Sequence, residues 1–189
     1  MEKQILKLIS PIPPSQNHYL GWRAIIKNGK PMAVSYETAE AKKYKKDFEK
    51  HIIEQVKIQN WNHEVNSTQH FYVDAVFYFD RIDKDSSNAD KCLLDAITET
   101  QLIWSDDNVA CFRTNRIYYD NRNPRIELTI SPVDYIGIFD NQEQLNNFES
   151  KCKTCQRYKR KCSIFKKAKE GRIQEEICNL ECSKYKETK

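Results

Sequence analysis

Acidic side chains in the middle of the chain surround one lysine, and these residue types can hold a divalent metal ion against a phosphate group. Asp85 precedes a segment of helical length, Lys91 and Asp95 lie within that segment, and the pair Asp106 and Asp107 follows it. Hard oxygen ligands suit Mg²⁺, which binds few carboxylates, keeps several waters and is completed by substrate phosphate. A neighbouring lysine can neutralise charge that develops on phosphate oxygens. The pattern therefore predicts chemistry on a phosphate ester that depends on Mg²⁺ or Mn²⁺.

A helix that begins at Asn88 is expected to bring these side chains together. Asparagine accepts hydrogen bonds from the free N–H groups of a first helical turn. The polar residues then recur at steps of three and four and so share one helix face: Asn88, Lys91, Cys92 and Asp95. Each feature alone also fits a plain structural role, with Asp85 as a cap, Asp106 and Asp107 in a turn, and Lys91 and Asp95 as an exposed ion pair. The combination around one helix favours a site.

The same stretch resembles the signature of a known family. Residues 85–91 read DSSNADK, Asp95 follows, and residues 104–109 read WSDDNV. Together they are similar to the pattern D-x-D-N-x-x-K…D…DD-x-V of the RusA family of Holliday junction resolvases. Residues 13–19, PPSQNHY, are similar to the family's N-terminal PPS-x-N segment, and residues 113–131 to its closing hairpin. The resemblance covers roughly the first two thirds of the chain.

The resemblance implies a crossover junction endodeoxyribonuclease and assigns roles within the site. Asp85 and Asp107 would hold the metal with Asp106 as a helper, and the catalytic set would be completed by Lys91, Asn88 and Asp95. One position departs from the family pattern, because Ser87 stands where the second aspartate is expected. A serine hydroxyl can itself coordinate Mg²⁺. The residues that can otherwise supply the lost charge are Asp83, Asp90 and Asp106.

Apolar periodicity predicts the elements that position the site. The expected elements are a strand at residues 4–9, a hairpin at 22–35 around Asn28 and Gly29, a helix from 35 or 37 to about 59, a central strand at 70–80, the helix at 88–99, and strands at 109–119 and 125–131. Lysines of the first long helix are expected on a solvated face: Lys42, Lys43, Lys45, Lys46 and Lys50. His18 is interpreted as an ordinary surface imidazole. We therefore expect an α+β domain at residues 1–133, a mixed or antiparallel β-sheet with two packed helices.

The end of the chain is rich in cysteine. Five of the seven cysteines follow residue 150: Cys152, Cys155, Cys162, Cys178 and Cys182. A C-x₂-C pair places two thiolates on one metal, and Cys178 and Cys182 at i,i+4 on a helix can present two more. Four soft ligands fit one structural zinc, which we rank ahead of an iron–sulfur cluster and of unrelated thiols. We expect a small metal-stapled extension at residues 151–189, joined by an acidic linker at 134–150 that can hold one short helix.

Charge is divided unevenly along the chain. Residues 151–189 contain 13 of the 31 Lys and Arg residues and 5 of the 27 Asp and Glu residues, a net charge of +8 against −4 for residues 1–150. Such asymmetry suggests a polyanionic partner, although a solvated charged helix is the commoner cause of a lysine-rich run. The chain has no apolar run of membrane-spanning length, no recognisable signal peptide and an odd number of cysteines. We expect a cytoplasmic protein that does not contact membranes.

Together these observations predict a Mg²⁺-dependent, structure-selective endodeoxyribonuclease that resolves four-way DNA junctions in recombination, repair or phage DNA processing. A junction has two strands to cut symmetrically, so branched DNA and a second copy of the chain are the expected partners. One alternative is a catalytically weak or inactive junction-binding protein, because Ser87 removes a ligand while the basic tail keeps affinity for DNA. A third is a zinc-dependent interaction module joined to a degenerate nuclease fold.

Overall fold

The computed structural model describes residues 4–62, 65 and 68–188. Contacts divide the chain into two units. The N-terminal unit comprises residues 1–67 and 71–132, and the C-terminal unit comprises residues 68–70 and 133–189. Within the described residues, none of the helices combines the length and apolar character that crossing a membrane requires.

The N-terminal unit is an α+β fold built on a mixed sheet. In chain order its elements are β1 (Leu6–Ser10), a one-turn helix α1 (Gln16–Tyr19), β2 (Leu20–Lys27), β3 (Lys30–Glu37), α2 (Ala39–Ile58), β4 (Phe71–Phe79), α3 (Asp90–Glu99), β5 (Ala110–Tyr119) and β6 (Arg125–Pro132). Four strands form one sheet in the order β1-β6-β4-β5. The pairs β1/β6 and β6/β4 are antiparallel, whereas β4/β5 is parallel. The expected α+β class with a mixed sheet is confirmed.

Strand β4 is the centre of this unit, as its sequence predicts. Alternate residues of β4 are fully buried, from Phe71 and Val73 to Phe79, and the residues between them are half-buried. Strand β4 is thus covered on both faces, and it also has a neighbouring strand on each edge, β6 on one side and β5 on the other. Helix α2 packs on α3 and β1 through a stripe that includes Phe48 and Ile52. The core is therefore continuous from the sheet to both long helices.

Strands β2 and β3 form a separate hairpin with the predicted turn. Lys27 pairs with Lys30, and the two residues between them, Asn28 and Gly29, have φ angles of 53° and 72°. Positive φ at both central positions is the geometry that Asn-Gly favours in a two-residue hairpin. Along the hairpin, Trp22 and Ile26 are 68% and 81% exposed, so it presents apolar side chains to solvent.

The prediction that residues 113–131 form a closing hairpin is wrong. Strands β5 and β6 are joined by the polar turn at 120–124, yet β4 lies between them in the sheet. The turn residues are those that hairpins use, but β5 pairs with β4 in the parallel sense. A parallel pair needs a crossover connection, which α3 and its flanking loops supply. The tertiary pairing therefore overrides the local turn signal.

The C-terminal unit has a small core and little regular structure. Its elements are α4 (Gln142–Lys153), a 3₁₀ turn at Tyr158–Arg160, α5 (Ile164–Lys169), β7 (Ile177–Cys178) and β8 (Glu181–Cys182). The buried residues are Phe139, Leu145, Phe148, Phe165 and Ala168. Residues 134–150 supply three of these, so the segment that the sequence predicts to be a linker is folded. Cys178 and Cys182 also differ from expectation, because they lie in the two-stranded β7–β8 ladder and not on a helix.

Candidate active site

The predicted site residues lie in the crossover that connects β4 to β5. Lys91, in the first turn of α3, is the central group: its Nζ donates to Asp95 Oδ1 at 2.7 Å and to Asp107 Oδ2 at 3.0 Å. The pKa of Lys91 is raised, first by the hydrogen bond that it donates to Asp95 and then, against the opposing effect of burial, by the one that it donates to Asp107. Lys91, Asp95 and Asp107, which we call the lysine triad, are thus brought together, and the lysine is held as a cation.

Asp85 and Asp90 form a second group, which we call the carboxylate pair. Asp85 Oδ1 accepts from the backbone N–H of Ser87 at 3.0 Å and so caps the 3₁₀ turn Ser86–Asn88. The pKa of Asp90 is raised to about 6, first by burial and then by the negative charge of Asp85. Asp90 Oδ1 is buried and has no hydrogen-bond partner in the described part of the chain. An unsatisfied buried carboxylate oxygen is costly, so this atom lacks a cation or donor.

The structure distinguishes between the three carboxylates that could replace the aspartate missing at position 87, which are Asp83, Asp90 and Asp106. Ser87 is exposed. Asp83 is occupied by an ion pair with Arg81 at 2.9 Å. Asp106 is exposed and caps the 3₁₀ turn at residues 107–109 through Asn108 N–H. Of the three, Asp90 alone has a buried oxygen that finds no partner among the residues that the structure describes, which favours it as the replacement ligand.

Two residues of the expected polar helix face lie elsewhere. Asn88 belongs to the 3₁₀ turn and does not cap α3, which begins at Asp90 after Ala89. Cys92 is 1% exposed within the apolar core, and burial raises the pKa of its thiol to about 12. The polar face predicted for α3 is therefore narrower than expected, and it consists of Lys91 and Asp95.

A cavity of about 420 Å³ lies beside the acidic loop. Its walls combine the N-terminal segment, including Pro13, Pro14 and His18, with Asp85 and Asn88. His18 is exposed, as expected for a surface imidazole, but it faces this space. The prolines are buried, so the segment is a fixed wall. Asn88 thus reaches the site as part of the cavity and not as a helix cap.

A polar network behind the lysine triad was missed by sequence reasoning. We call it the support network; its members are Tyr19, Glu37, Lys45 and Glu99. The Tyr19 hydroxyl hydrogen-bonds with Asp95 Oδ2 and lies 3.0 Å from Glu37 Oε1. Lys45 Nζ donates to Glu37 Oε1 at 2.6 Å and to Glu99 Oε1. A continuous chain of hydrogen bonds therefore runs from Glu99 through Lys45, Glu37 and Tyr19 to Asp95.

Burial and charge hold this network in one protonation state. Burial raises the pKa of the Tyr19 hydroxyl, and the hydrogen bonds to Asp95 and Glu37 raise it further. Burial opposes ionisation of Glu37, but the hydrogen bonds from Lys45 and Tyr19 outweigh it and lower the pKa. Lys45 keeps its charge for the same reason, since its two carboxylate partners outweigh burial. Tyr19 is therefore a neutral donor whose hydroxyl restrains Asp95.

The prediction that all five lysines of α2 lie on a solvated face is wrong for Lys45. It is 3% exposed, whereas Lys42, Lys43, Lys46 and Lys50 are exposed. The signal was available, because Lys45 stands four residues after Ala41 and one after Tyr44, inside the apolar stripe. A lysine at a buried position requires partners. For Tyr19, Glu37 and Glu99 no comparable pattern exists, since their partners are distant in sequence.

The carboxylate pair fits the metal that the family pattern implies. Within residues 4–62, 65 and 68–188, no three His, Cys, Asp or Glu side chains form a group that could hold a metal ion. Mg²⁺ needs no such group, because one or two carboxylates suffice when waters and substrate phosphate complete its shell. Asp85 and Asp90 provide this number of carboxylates, and Asp90 Oδ1 is a buried ligand atom without another partner.

Comparison with known proteins identifies the class. A family model described as Endodeoxyribonuclease RusA matches residues 11–131, which contain the cavity wall, the carboxylate pair and the lysine triad. The match covers more than half of the chain. The chain belongs to the RusA family of endodeoxyribonucleases. This is a family of Holliday junction resolving endonucleases, so branched DNA is the substrate class that it implies.

The other comparisons add little. No curated protein matches the chain. Among solved structures, 2C-methyl-D-erythritol 2,4-cyclodiphosphate synthase from Plasmodium vivax matches 69% of this chain and 96% of its own, at 9% sequence identity. Its TM-score of 0.26 is too low to carry an argument. Residues 132–189, with five cysteines, lie outside the family match.

Proposed function

We propose that this protein is an endodeoxyribonuclease that cuts four-way DNA junctions and depends on Mg²⁺ or Mn²⁺. The observation that carries the proposal is the arrangement within α3 and its flanking turns. There a carboxylate pair with a buried, unpartnered oxygen accompanies a lysine held between two further carboxylates. Negative ligands for a cation and a fixed positive charge for phosphate are the two parts that phosphodiester hydrolysis requires.

Each residue has a role that follows from its surroundings. Asp85 and Asp90 would hold the ion. Asp107 Oδ2 accepts a hydrogen bond from Lys91 Nζ. Its Oδ1 makes no hydrogen bond within the described residues, so this oxygen would be available to the ion or its waters. A bound Mg²⁺ would polarise the phosphodiester and lower the pKa of the attacking water. Lys91 would neutralise charge on a non-bridging phosphate oxygen, and Asp95 would fix the lysine in place.

The support network gives Lys91 one position. Lys91 is bonded to Asp95, and Asp95 is bonded to Tyr19. Tyr19 is bonded to Glu37, which accepts a hydrogen bond from the buried Lys45. A long, flexible lysine otherwise loses side-chain entropy when it meets phosphate. Restraint before substrate arrives removes that cost from the reaction. Tyr19 and Lys45 are accordingly positioning residues, since each acts on Lys91 only through other residues of the network.

Symmetric cutting of a junction requires two sites, so we propose a homodimer with one site in each copy. The apolar side chains exposed along the β2–β3 hairpin, above all Trp22 and Ile26, are suited to burial between copies. Net charge of +8 on residues 151–189 supplies sequence-independent affinity for the DNA backbone. A DNA substrate makes the cytoplasm the expected compartment.

A second candidate function rests on Ser87. If Asp90 does not replace the missing carboxylate, metal affinity is low and the protein binds junctions without cutting them efficiently. The observation that favours this alternative is that an exposed serine, Ser87, stands where the family pattern has a carboxylate.

The two candidates are separated by incubating the protein and a four-way junction with Mg²⁺ or Mn²⁺ and looking for symmetric nicks. Asp85→Asn and Asp107→Asn should lower cleavage at least about 100-fold while binding in EDTA persists, because the amide keeps the volume but not the charge. Asp47→Asn, on the exposed face of α2, is the matched control. Binding without nicks in either metal would support the inactive alternative, and full activity in both site variants would reject the assignment of the site.

A further inference from the structure

Four of the five C-terminal cysteines surround one cavity. We call them the cysteine quartet: Cys152, Cys155, Cys162 and Cys182. They come from four places in the chain, namely the end of α4, the second residue after it, the loop before α5, and β8. At this cavity Cys155 is buried, and Cys152, Cys162 and Cys182 are half-buried.

Cys178 is excluded from this group by the fold. It is exposed, and it is not among the described residues that line the cavity. In the β7–β8 ladder Cys178 pairs with Glu181, whereas Cys182 pairs with Ile177. Two residues that the sequence predicts to act as one pair of ligands are therefore separated, and the remaining set has four members.

The cavity that the quartet lines has room for more than one metal ion. Around a tetrahedral zinc with Zn–S bonds of about 2.3 Å, the sulfur atoms lie only about 3.8 Å apart. The described residues contain no group of three ligating side chains close enough to hold one ion. The quartet instead lines a cavity of about 300 Å³. Such a space suits a polynuclear group with the same soft ligands.

The rest of the cavity wall suits a group of negative charge. Lys151, Arg157 and Lys184 line it together with Phe148, Phe165 and Tyr158. One carboxylate, that of Glu181, also lines the cavity and pairs with Lys151 at 2.8 Å, so the wall keeps a net positive charge. The backbone N–H of Lys186 donates to Cys155 Sγ at 3.4 Å. Hydrogen bonds to sulfur, basic neighbours and a partly apolar wall are the surroundings that stabilise iron–sulfur clusters bound by four thiolates.

We propose that the cysteine quartet binds one iron–sulfur cluster that staples the C-terminal unit. The unit needs such a staple, because only five residues of its described part are buried apolar side chains of its core. A domain of this size with so small a core rarely folds without metal or disulfides. The cysteines are all free thiols, so the cluster is the cross-link that joins α4, the loop before α5 and β8.

The test begins with the full chain purified without oxygen and without added metal. Iron, acid-labile sulfide and zinc are measured per chain, and the visible absorption spectrum is recorded. The expected result is a brown protein with equal amounts of iron and sulfide, about two or four of each per chain. If purification strips the cluster, ferrous iron and sulfide added to the thiol-reduced chain should restore both absorption and content.

Single cysteine variants then define the ligands. Each quartet cysteine exchanged for serine should lose most of the absorption, whereas Cys178→Ser and Cys92→Ser, the matched controls, should keep it. Because a quartet variant can also fail to fold, the wild-type metal content decides the proposal independently. About one zinc per chain without iron or sulfide, or a chain that binds neither after reconstitution, would overturn it. Loss of iron in Cys178→Ser would overturn the ligand set.

Discussion

The N-terminal unit buries 24 apolar residues in one core within its described part, whereas the C-terminal unit buries five. The first unit offers carboxylates and a lysine on one helix and its flanking turns, and the second offers thiols from four separate segments. Hard oxygen ligands select Mg²⁺ and soft thiolates select iron or zinc. The two candidate sites therefore differ in the metal that they can hold.

This difference teaches how each site relates to its fold. The carboxylates of the N-terminal unit are positioned by a core that forms without metal, so the ion that we propose there would be free to exchange. The C-terminal unit has too little apolar burial to position its thiols alone, so the cluster that we propose there would be part of the fold. Changes to one site should therefore act on cleavage, and changes to the other on structure.

The largest expected effect concerns Lys91. Lys91→Gln should lower cleavage at least about 100-fold, because the positive charge beside the phosphate is lost. Iron content of the C-terminal unit should not change. Junction cleavage under single-turnover conditions measures the effect, with Lys43→Gln on the exposed face of α2 as the control. Nearly unchanged cleavage would remove the lysine triad from the mechanism.

Lys45 tests whether the N-terminal unit is stabilised by its own interior. Lys45→Met should lower the free energy of unfolding by about 1–3 kcal/mol, because it leaves Glu37 and Glu99 without their cation. The value is below that for fully buried pairs, since the partners' side chains are 30% and 47% exposed. Urea unfolding measures it. Lys46→Met, one residue away and exposed, should change stability by less than about 0.5 kcal/mol.

Tyr19 tests positioning without charge. Tyr19→Phe removes the hydroxyl that restrains Asp95 and should lower kcat about 2- to 10-fold, the value of one hydrogen bond. KM should change little, because Tyr19 does not line the cavity. The split between kcat and KM distinguishes positioning from a loss of fold. Tyr36→Phe, on the exposed side of β3, is the control, and equal losses in both variants would contradict the role of Tyr19.

Basic residues of the C-terminal unit are expected to contribute affinity and not chemistry. Arg160→Gln and Lys166→Gln, both exposed, should each reduce the slope of log K against log salt by about one. Cleavage at saturating protein should stay the same. Electrophoretic mobility shifts over a salt series measure the slope. If the salt dependence changes in variants of Lys43 and Lys46 and not in those of Arg160 and Lys166, the DNA-binding surface lies on α2.

The smallest effect is expected at Ser87. With Asp90 as the second carboxylate, Ser87→Asp should change the Mg²⁺ requirement by no more than about twofold, or raise it through like-charge repulsion. Asp90→Asn should raise the requirement by at least about tenfold. Titration of cleavage with Mg²⁺ compares the two. A strong gain from Ser87→Asp would show an incomplete site and favour the inactive alternative.

Sequence reasoning succeeded where the signal is local. Strand β4 alternates strictly, α2 repeats apolar residues at helical spacing, and Asn28-Gly29 marks its own turn. The spacing of Asp85, Lys91, Asp95 and Asp107 carries the pattern of a family and predicts them as site residues. The structure brings Lys91, Asp95 and Asp107 together. In each case the information lies within about 25 neighbouring residues.

The failures concern partners that are distant along the chain. The sequence does not encode that β4 separates β5 from β6, because strand order depends on tertiary pairing. The partner of Asp95 is Tyr19, 76 residues away. Cys178 and Cys182 have the spacing of a helical pair, but the β7–β8 turn separates them. Residues 134–150 are polar overall, so their composition predicts a linker, although three of their apolar side chains belong to a core.

The lysine triad and the support network also differ in the length of chain that each bond closes. Lys91 reaches Asp95 over 4 residues and Asp107 over 16, whereas the bond from Lys45 to Glu99 closes 54 residues. Short loops close at lower entropic cost and sooner than long ones. Loop closure therefore favours the contacts of Lys91 with Asp95 and Asp107 over the contact of Lys45 with Glu99 at an early stage of folding.

This order has a consequence for synthesis on the ribosome, where the N-terminal part emerges first. Tyr19 and Lys45 leave the exit tunnel well before Asp95 and Glu99 exist. The charge of Lys45 must then stay hydrated, because it has Glu37 nearby but not the rest of its native environment. Helix α2 can bury that face only when α3 has been made, so the nascent N-terminal segment remains open until the site-bearing crossover is complete.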